Sequence, residues 1–515
     1  MESAACQNQC IEERGRRFSG LFLLPGAALF VGYAAINHWL FTRGYAARTS
    51  LFLGEKCLLV FHGNPPRLEN LGFVYPPLPY AFTLLCGNPF LGTALVGAAA
   101  ASLFLGFLRK SAPFCQKGAA ARMLSLLLFS YLCLSPMFLF LFTQRSNVCL
   151  FVLLFSLGVY ALLRYAEQDL SIHLLLAGMV FGALFYVSFE SFLLVGFFLL
   201  PLVQIVRCRN SSLTTVWLVL CFPMAFFALS WLYLNYVFMG DAFYFLHFQR
   251  ATQGAAAGSQ NLQAVVGNAA AALAVLGRDL QRNLLLIMPY FMVLLASLFL
   301  RKRLFHYLHL ILLAPLLTAY LRIYLGSFSG ETIEYAIFLT TAVLIASKDV
   351  LLRERKWTVW LLTLCFCTSL AVSFILPLEH GSDEEKGFAR ALYGHGNFQN
   401  LQNDLELLER LGSKGRVLLD DTTLYSLVYL YGDPKRFLLP YEYEFETALS
   451  APRLFVSYVV VSKNKSRDRL LGRYPLASAG FLQGYELVAD FGRAVLYRRL
   501  EEKAPGGRGS LAAVK

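Results

Sequence analysis

The sequence predicts a polytopic α-helical membrane protein of about eleven transmembrane helices, followed by a soluble α/β domain. Three observations carry that expectation. Of 515 residues, 57% are hydrophobic and the mean hydropathy is +0.55, more apolar surface than one soluble core can hide. Apolar runs long enough to cross about 30 Å of hydrocarbon at about 1.5 Å per helical residue recur from residue 19 to residue 377. From Asp383 onward the chain instead alternates amphipathic and β-rich segments of ordinary soluble composition.

The runs fall near 19–41, 87–108, 123–142, 148–164, 170–187, 191–206, 214–237, 283–300, 304–325, 333–350 and 357–377. The fifth and sixth are one run from Leu170 to Val206, divided at "SFES" because 37 residues exceed one crossing and Glu190 is costly at mid-bilayer depth. The first, from Leu21 to Phe41, lacks a small-residue cleavage site and reads as an uncleaved span. Basic residues set the orientation. "EERGRR", the loop with Arg109, Lys110, Lys117 and Arg122, then Arg164, Arg207 and Arg209, "RKR" at 301–303 and "RERK" at 353–356 all thread to one side, the cytoplasm. The net charge of +13 is therefore topological, and its scatter along membrane flanks argues against a nucleic-acid partner. Threading exports the loops 42–86 and 238–282 and everything beyond the last span. The expected location is the cytoplasmic (inner) membrane, with the carboxy-terminal domain on the exported or periplasmic side. The expected domains are 1–377 in the membrane, 378–500 as the exported domain, and 501–515 as a disordered tail, "EEKAPGGRGSLAAVK".

The exported domain is expected to open with the amphipathic helix "LQNDLELLERLG". Strands follow at "RVLLDD", "RFLLP", "FVSYVVVS", "YELVADF" and "AVLYRR", the last two as a hairpin, with helical candidates "TLYSLVYLYG", "YEFETALS" and "SRDRLLGRY" between. Asp420 and Asp421 sit where open α/β sheets place ligands, but an Asp before "TT" and a helix is also what an N-cap requires, and the domain has no nucleotide-binding fingerprint. It is expected to be a lid, scaffold or recognition module. Most of the 11 cysteines lie in or beside apolar helices without metal-ligand spacing, so no disulfide framework or zinc site is assigned, and metal dependence stays open.

Chemistry concentrates in "GEKCLLVFHGNPPRLENLGFVYPPLPY", Gly54 to Tyr80. Glu55 and Glu69 are its carboxylates and the candidate catalytic groups, either of which can equally be a surface carboxylate paired with Lys56 or Arg67. Lys56, His62 and Arg67, with Tyr75 and Tyr80, are candidate contacts for an anionic substrate. The prolines are expected to prevent continuous helix and fix the path of the loop. Further candidates for a phosphate are Arg322 in "YLRIYLGSFSGETIEY", near Glu331 and Glu334, and His247 and Arg250 in "FYFLHFQR", with Arg278 and Arg282 in the same loop. Arg322 can equally snorkel to the headgroups. "NLQAVVGNAAAALAVLG" suits an interfacial helix.

The order of first span, acidic "GEK", a stretch closing in "YPPLPY" and then the next span resembles the first exported loop of the GT-C superfamily of polyprenyl-phosphate-sugar glycosyltransferases, in pattern the aminoarabinose and protein mannosyl transferases. Pro76, Pro77, Leu78 and Tyr80 match the close. Only Glu55 matches the opening, Gly54 standing where that family often has Asp. The resemblance implies a lipid-linked sugar donor, inverting transfer, a carboxylate that deprotonates the acceptor hydroxyl, and a glycan, lipid or protein acceptor in the cell envelope. A transporter or flippase, for which the chain offers no internal repeat and few charges within spans, and a non-catalytic assembly subunit are the alternatives. A surface-polysaccharide polymerase or ligase shares the same topology.

Overall fold

The computed structural model describes residues 25–71, 77–109, 119–168, 170–188, 212–244, 267–298, 306–324, 332–346, 356–394, 399–412, 414–463, 468–474 and 482–500, with four isolated positions between 196 and 205. Two compact units emerge. One comprises 1–57 and 71–398, the other 58–70 and 399–515.

The first unit is helical. In order it contains α1 (25–42), α2 (Arg48–His62, which continues into the second unit), α3 (Pro77–Cys86), α4 (Pro89–Arg109), α5 (Ala119–Leu134), α6 (Pro136–Gln144) and α7 (Ser146–Gln168). Then come α8 (Ser171–Ala183), α9 (Leu213–Met239), α10 (Ala269–Arg282), α11 (Leu284–Leu298), α12 (His306–Tyr324), α13 (Ala336–Ala346), α14 (Lys356–Glu379) and α15 (Asp383–Tyr393).

Four of these, in α4, α7, α9 and α14, are long and apolar enough to cross a membrane as single elements, and up to six cross if two bent pairs each count as one. The expected count of eleven is not reached by that measure among the described residues. One reason is that α3, α8, α12 and α13 are shorter apolar helices. Another is that most of 191–206 lies outside the described residues. The run expected at 123–142 is bent by 52° between α5 and α6, because Ser135 is extended and Pro136 restarts the helix at its first position. The part of the expected interfacial helix within the described residues is helical in α10, begun by Asn268 accepting from the Ala271 amide, and α11 turns from it by 102°.

Lipid exposure explains the outward face of α9, where Leu218, Phe222, Phe226, Leu229, Tyr233 and Tyr236 form a stripe, each more than 60% exposed. In water such a stripe is an aggregation hazard, and in hydrocarbon it is the solvated face. Inside the bundle, backbone approaches backbone: a Cβ on Gly97 would lie 2.1 Å from the Phe142 carbonyl oxygen, and one on Gly178 would lie 2.5 Å from that of Leu220. Hydroxyl pairs add contacts to α14, Tyr131 of α5 with Ser369 at 2.8 Å and Ser135, at the break between α5 and α6, with Ser373 at 3.1 Å.

The second unit is a five-stranded sheet with helices on both faces. It comprises α16 (Gln399–Arg410), β1 (Val417–Leu419), α17 (Asp421–Tyr431), β2 (Phe437–Leu438), α18 (Phe445–Ser450), α19 (Pro452–Phe455), β3 (Tyr458–Ser462), α20 (Arg469–Arg473), β4 (Tyr485–Phe491) and β5 (Ala494–Arg499). Strand order is β2-β1-β3-β5-β4, with β1 parallel to β2 and β3, and β5 antiparallel to β3 and β4. Alternation along the strands builds two cores. Val417, Leu419 and Val460 pack with Leu407, Leu427 and Val428 on one face, and Leu418, Val459 and Val461 pack with Phe445, Leu449 and Leu470 on the other.

The units divide the chain differently from the expected boundary at 378. Residues 383–393 form α15, whose Phe388 and Ala391 pack in the core of the helical unit. Conversely, Leu59 packs in a core of the sheet unit, so part of the expected loop 42–86 belongs to that unit. That loop is also more regular than its prolines suggest, since Pro77 opens α3 and Pro79 lies in its first turn, where a missing N–H costs nothing.

Asp420 and Asp468 are caps. Asp420 accepts from the Thr422 amide at 2.9 Å and the Arg469 amide at 2.8 Å, while Asp468 accepts from Ser462, Leu470 and Leu471 at 2.7, 2.8 and 3.1 Å. Burial pushes the Asp468 carboxyl from 3.8 up to about 6, aided by the charge of Asp420 and opposed by the amides. The folded domain therefore holds this proton where the unfolded chain releases it. The contribution of Asp468 is greatest below pH 3.8 and is lost as pH rises to about 6. Asp468→Asn, which keeps the cap, is expected to flatten that part of the pH dependence of protection of 414–463 in hydrogen exchange. Asp420→Ala is expected to lower the same protection by about 0.5–2 kcal/mol at neutral pH.

Candidate active site

Glu55 lies in the second turn of α2, fully buried, with its Oε2 3.3 Å from the Lys56 ammonium. Lys56 is itself mostly covered and sits 5.5 Å over the Phe52 ring. A carboxylate withdrawn from water needs such a counter-charge. Next to it, burial and the charge of Glu55 push the Cys57 thiol up to about 12, so Cys57 is not a nucleophile at neutral pH. Tyr80, expected as a substrate contact, is a core ring at 1% exposure, and its carbonyl faces the Cys57 sulfur at 4.0 Å.

The first turn of α2 is held by remote groups. The Arg48 amide donates to Glu384 Oε1 at 3.1 Å, the Ala47 amide to Gln144 Oε1 at 3.1 Å, and Ser50 to the Gln144 carbonyl at 2.9 Å. Arg145 bridges Thr49 at 2.8 Å and Glu384 at 3.5 Å, and Gln144 donates in turn to Asn37. Sequence reasoning missed this network. The available signal was the polar run from Thr143 to Asn147 inside an otherwise apolar stretch.

The remaining candidates of that segment belong to the sheet unit. Arg67 pairs with Glu69 at 3.1 Å and donates to Asn70 at 3.2 Å and the Tyr441 carbonyl at 3.4 Å, with Tyr443 5.7 Å away. Glu69 is half exposed, and His62 is exposed at the end of α2 beside Phe61. The structure thus brings together Glu55 with Lys56 and Arg67 with Glu69. Tyr75, His247 and Arg250 lie outside the described residues.

Arg322, at the end of α12, forks onto Glu334, with NH1 and NH2 each 3.2 Å from a different carboxylate oxygen. The pair borders a pocket lined by Pro315, Thr318, Ala319, Ile337 and Phe338. The adjacent Tyr335 hydroxyl donates to Asp279 of α10. Rather than snorkelling alone, this guanidinium has a carboxylate partner. Among the described residues no group of three or more His, Cys, Asp or Glu side chains is placed to hold a metal.

The helical unit, its bent spans and the carboxy-terminal sheet make a polytopic membrane protein whose fold is that of two solved structures. The solved structures that show this are ArnT from Cupriavidus metallidurans in the apo state and ArnT from the same organism bound to undecaprenyl phosphate. The apo structure superposes with a TM-score of 0.52 at 14% identity, and the lipid-bound one with 0.50 at 15%. Each match covers 92% of this chain and 97% of the other. No protein-family model and no curated protein sequence matches the chain.

Because Glu334 is only a tenth exposed, Arg322→Ala is expected to destabilise the helical unit by roughly 2–4 kcal/mol, and the double change Arg322→Leu with Glu334→Leu to recover much of that. The fraction of protein remaining monodisperse after a heat step in detergent measures both.

Proposed function

We propose that this protein is a membrane glycosyltransferase that moves a sugar from a polyprenyl-phosphate donor to an acceptor on the exported face of the inner membrane. The observation that carries the reading is the likeness, over 92% of the chain, to a fold that in ArnT was crystallised with undecaprenyl phosphate. The carboxylate of "GEK" supports it from within the chain, since Glu55 is buried beside an ammonium in the segment that the loop resemblance singles out.

In this reading Glu55 takes the proton of the acceptor hydroxyl as that oxygen attacks the anomeric carbon. The bond to the lipid phosphate breaks on the opposite face, which inverts the centre, and the lipid phosphate leaves with the electron pair. Lys56 balances the carboxylate and, with the guanidinium of Arg322, supplies positive charge toward a phosphate. Arg322 can do so only by sharing or exchanging Glu334, its present partner. Glu55 has no exposed surface in this conformation, so the acceptor reaches it when the side chains covering it part. A donor held in the bilayer needs no nucleotide-binding fold, in keeping with a soluble domain whose carboxylates act as caps. That domain serves as scaffold or recognition module, and the acceptor is a glycan, lipid or protein.

Glu55→Gln keeps shape and removes the base, and is expected to reduce transfer from a polyprenyl-phosphate sugar by about 10²–10⁴-fold while donor still binds. Glu69→Gln, which alters a half-exposed ion pair, is expected to leave the rate within about twofold. Sugar released from a polyprenyl-phosphate donor in liposomes is the readout. Wild-type turnover in the Glu55→Gln protein would remove Glu55 from the chemistry, and transport of a solute without consumption of any lipid-linked sugar would replace the transferase by a transporter.

A further inference from the structure

We propose that Glu384 is a positioning residue that caps, from a distant point in the chain, the helix carrying Glu55; the inference rests on Glu55 being the base. Helix α2 begins without a cap of its own. Ala47 accepts the first intrahelical bond, from the Leu51 amide at 3.2 Å, but its methyl group cannot accept from the amides that follow. The first turn holds Arg48 and no acid, the wrong sign for the positive end of the helix dipole.

The missing acceptor and the missing charge come from one side chain. Glu384 Oε1 takes the Arg48 amide at 3.1 Å, and Oε2 lies 3.5 Å from Arg145, which also holds Thr49. The main-chain carbonyl of Glu384 accepts from the buried Tyr45 hydroxyl at 2.9 Å, fixing the residue where the chain enters α2. Glu384 is not spent on its own helix. The amino terminus of α15 is closed by a reciprocal pair, the Glu385 amide to Ser382 at 3.2 Å and the Ser382 amide to the Glu385 carboxylate at 2.9 Å. Arg48 and Glu55 are seven residues apart, two turns along one face, so fraying or rotation at the first turn moves the carboxylate. A base must be held to within a fraction of an ångström of its proton, and the clasp supplies that constraint.

The test uses full-length protein in nanodiscs, with hydrogen exchange at the amides of 48–52 and steady-state transfer from a polyprenyl-phosphate sugar. Glu384→Ala is expected to speed exchange there about tenfold and to lower kcat about tenfold, with KM for the donor within about twofold. Adding Ala47→Ser, which gives α2 a cap of its own, is expected to restore both. A merely structural loss would not be repaired by a hydroxyl at position 47. Glu384→Gln keeps the oxygen that accepts the Arg48 amide and drops the charge on Arg145, so exchange about threefold faster is expected; wild-type exchange in Glu384→Gln and Glu384→Ala overturns the proposal, as does Glu384→Gln alone at wild-type exchange and kcat if the alanine variant does not accumulate. Faster exchange with unchanged kcat overturns the positioning role. If wild-type protein consumes no lipid-linked sugar, the transferase reading fails, while unaltered exchange in the variants is what would sink the cap.

Discussion

A charge removed from water must find its opposite at once, and in a chain this apolar that constraint decides where ionisable groups can stand. Those of the helical unit gather at helix ends and in pairs: Glu55 with Lys56, Arg322 with Glu334, and Glu384 between Arg48 and Arg145. Desolvating an ion costs several kcal/mol, and only a close partner with further hydrogen bonds offsets it. The pair of Glu384 with Arg145 also anchors the start of α2, through the Arg48 amide and Thr49. Between the ends, the bundle is held by close backbone approach at Gly97 and Gly178 and by hydroxyl pairs such as Tyr131 with Ser369.

In the sheet unit, two carboxylates do a different job. Asp420 and Asp468, beyond the carboxyl ends of β1 and β3, together take five backbone amides. Of the adjacent acids in "LLDDTT", Asp420 is thereby an N-cap, the role its place before "TT" and a helix requires. The alternation of Val417, Leu418 and Leu419 between two cores also explains why so short a strand is central: it is covered on both faces and paired on both edges.

Much of this was legible in the sequence, and the failures have physical causes. Hydrophobic runs located α4, α7, α9 and α14, and alternation with turn residues located every strand of the sheet, including the β4–β5 hairpin. Runs alone could not show that 123–142 bends at Ser135, because Pro136 is compatible both with a kinked helix and with a new one. Nor could they assign Leu59 to the sheet unit or α15 to the helical one, since an amphipathic helix does not say which core receives its apolar face. For the candidate site, residue type drew attention to the acids and bases of the 54–80 segment and to Arg322 near Glu331 and Glu334, and only the loop resemblance put Glu55 first. Burial was not legible: a buried Tyr80 and a surface Arg67–Glu69 pair look alike in a list of polar groups beside prolines. Glu384 was hidden because its partners lie more than 200 residues away, and contacts of that separation leave no local pattern.

Membrane helices bury no apolar surface from water when they meet, so what fixes their packing is the fit of small residues and a few hydrogen bonds rather than the identity of each apolar side chain. Leucine, valine and phenylalanine can then exchange widely without moving the helices, and a fold can match over 92% of a chain at 15% identity. Charged positions have no such freedom, because each is tied to a partner. It follows that likeness of fold constrains where in the bundle chemistry can occur but not which groups perform it. The pairs particular to this chain carry that information. The groups that hold α2, Glu384, Arg145 and Gln144, come from far along the chain, so the geometry at Glu55 is a property of the assembled bundle rather than of the loop in which the residue is found.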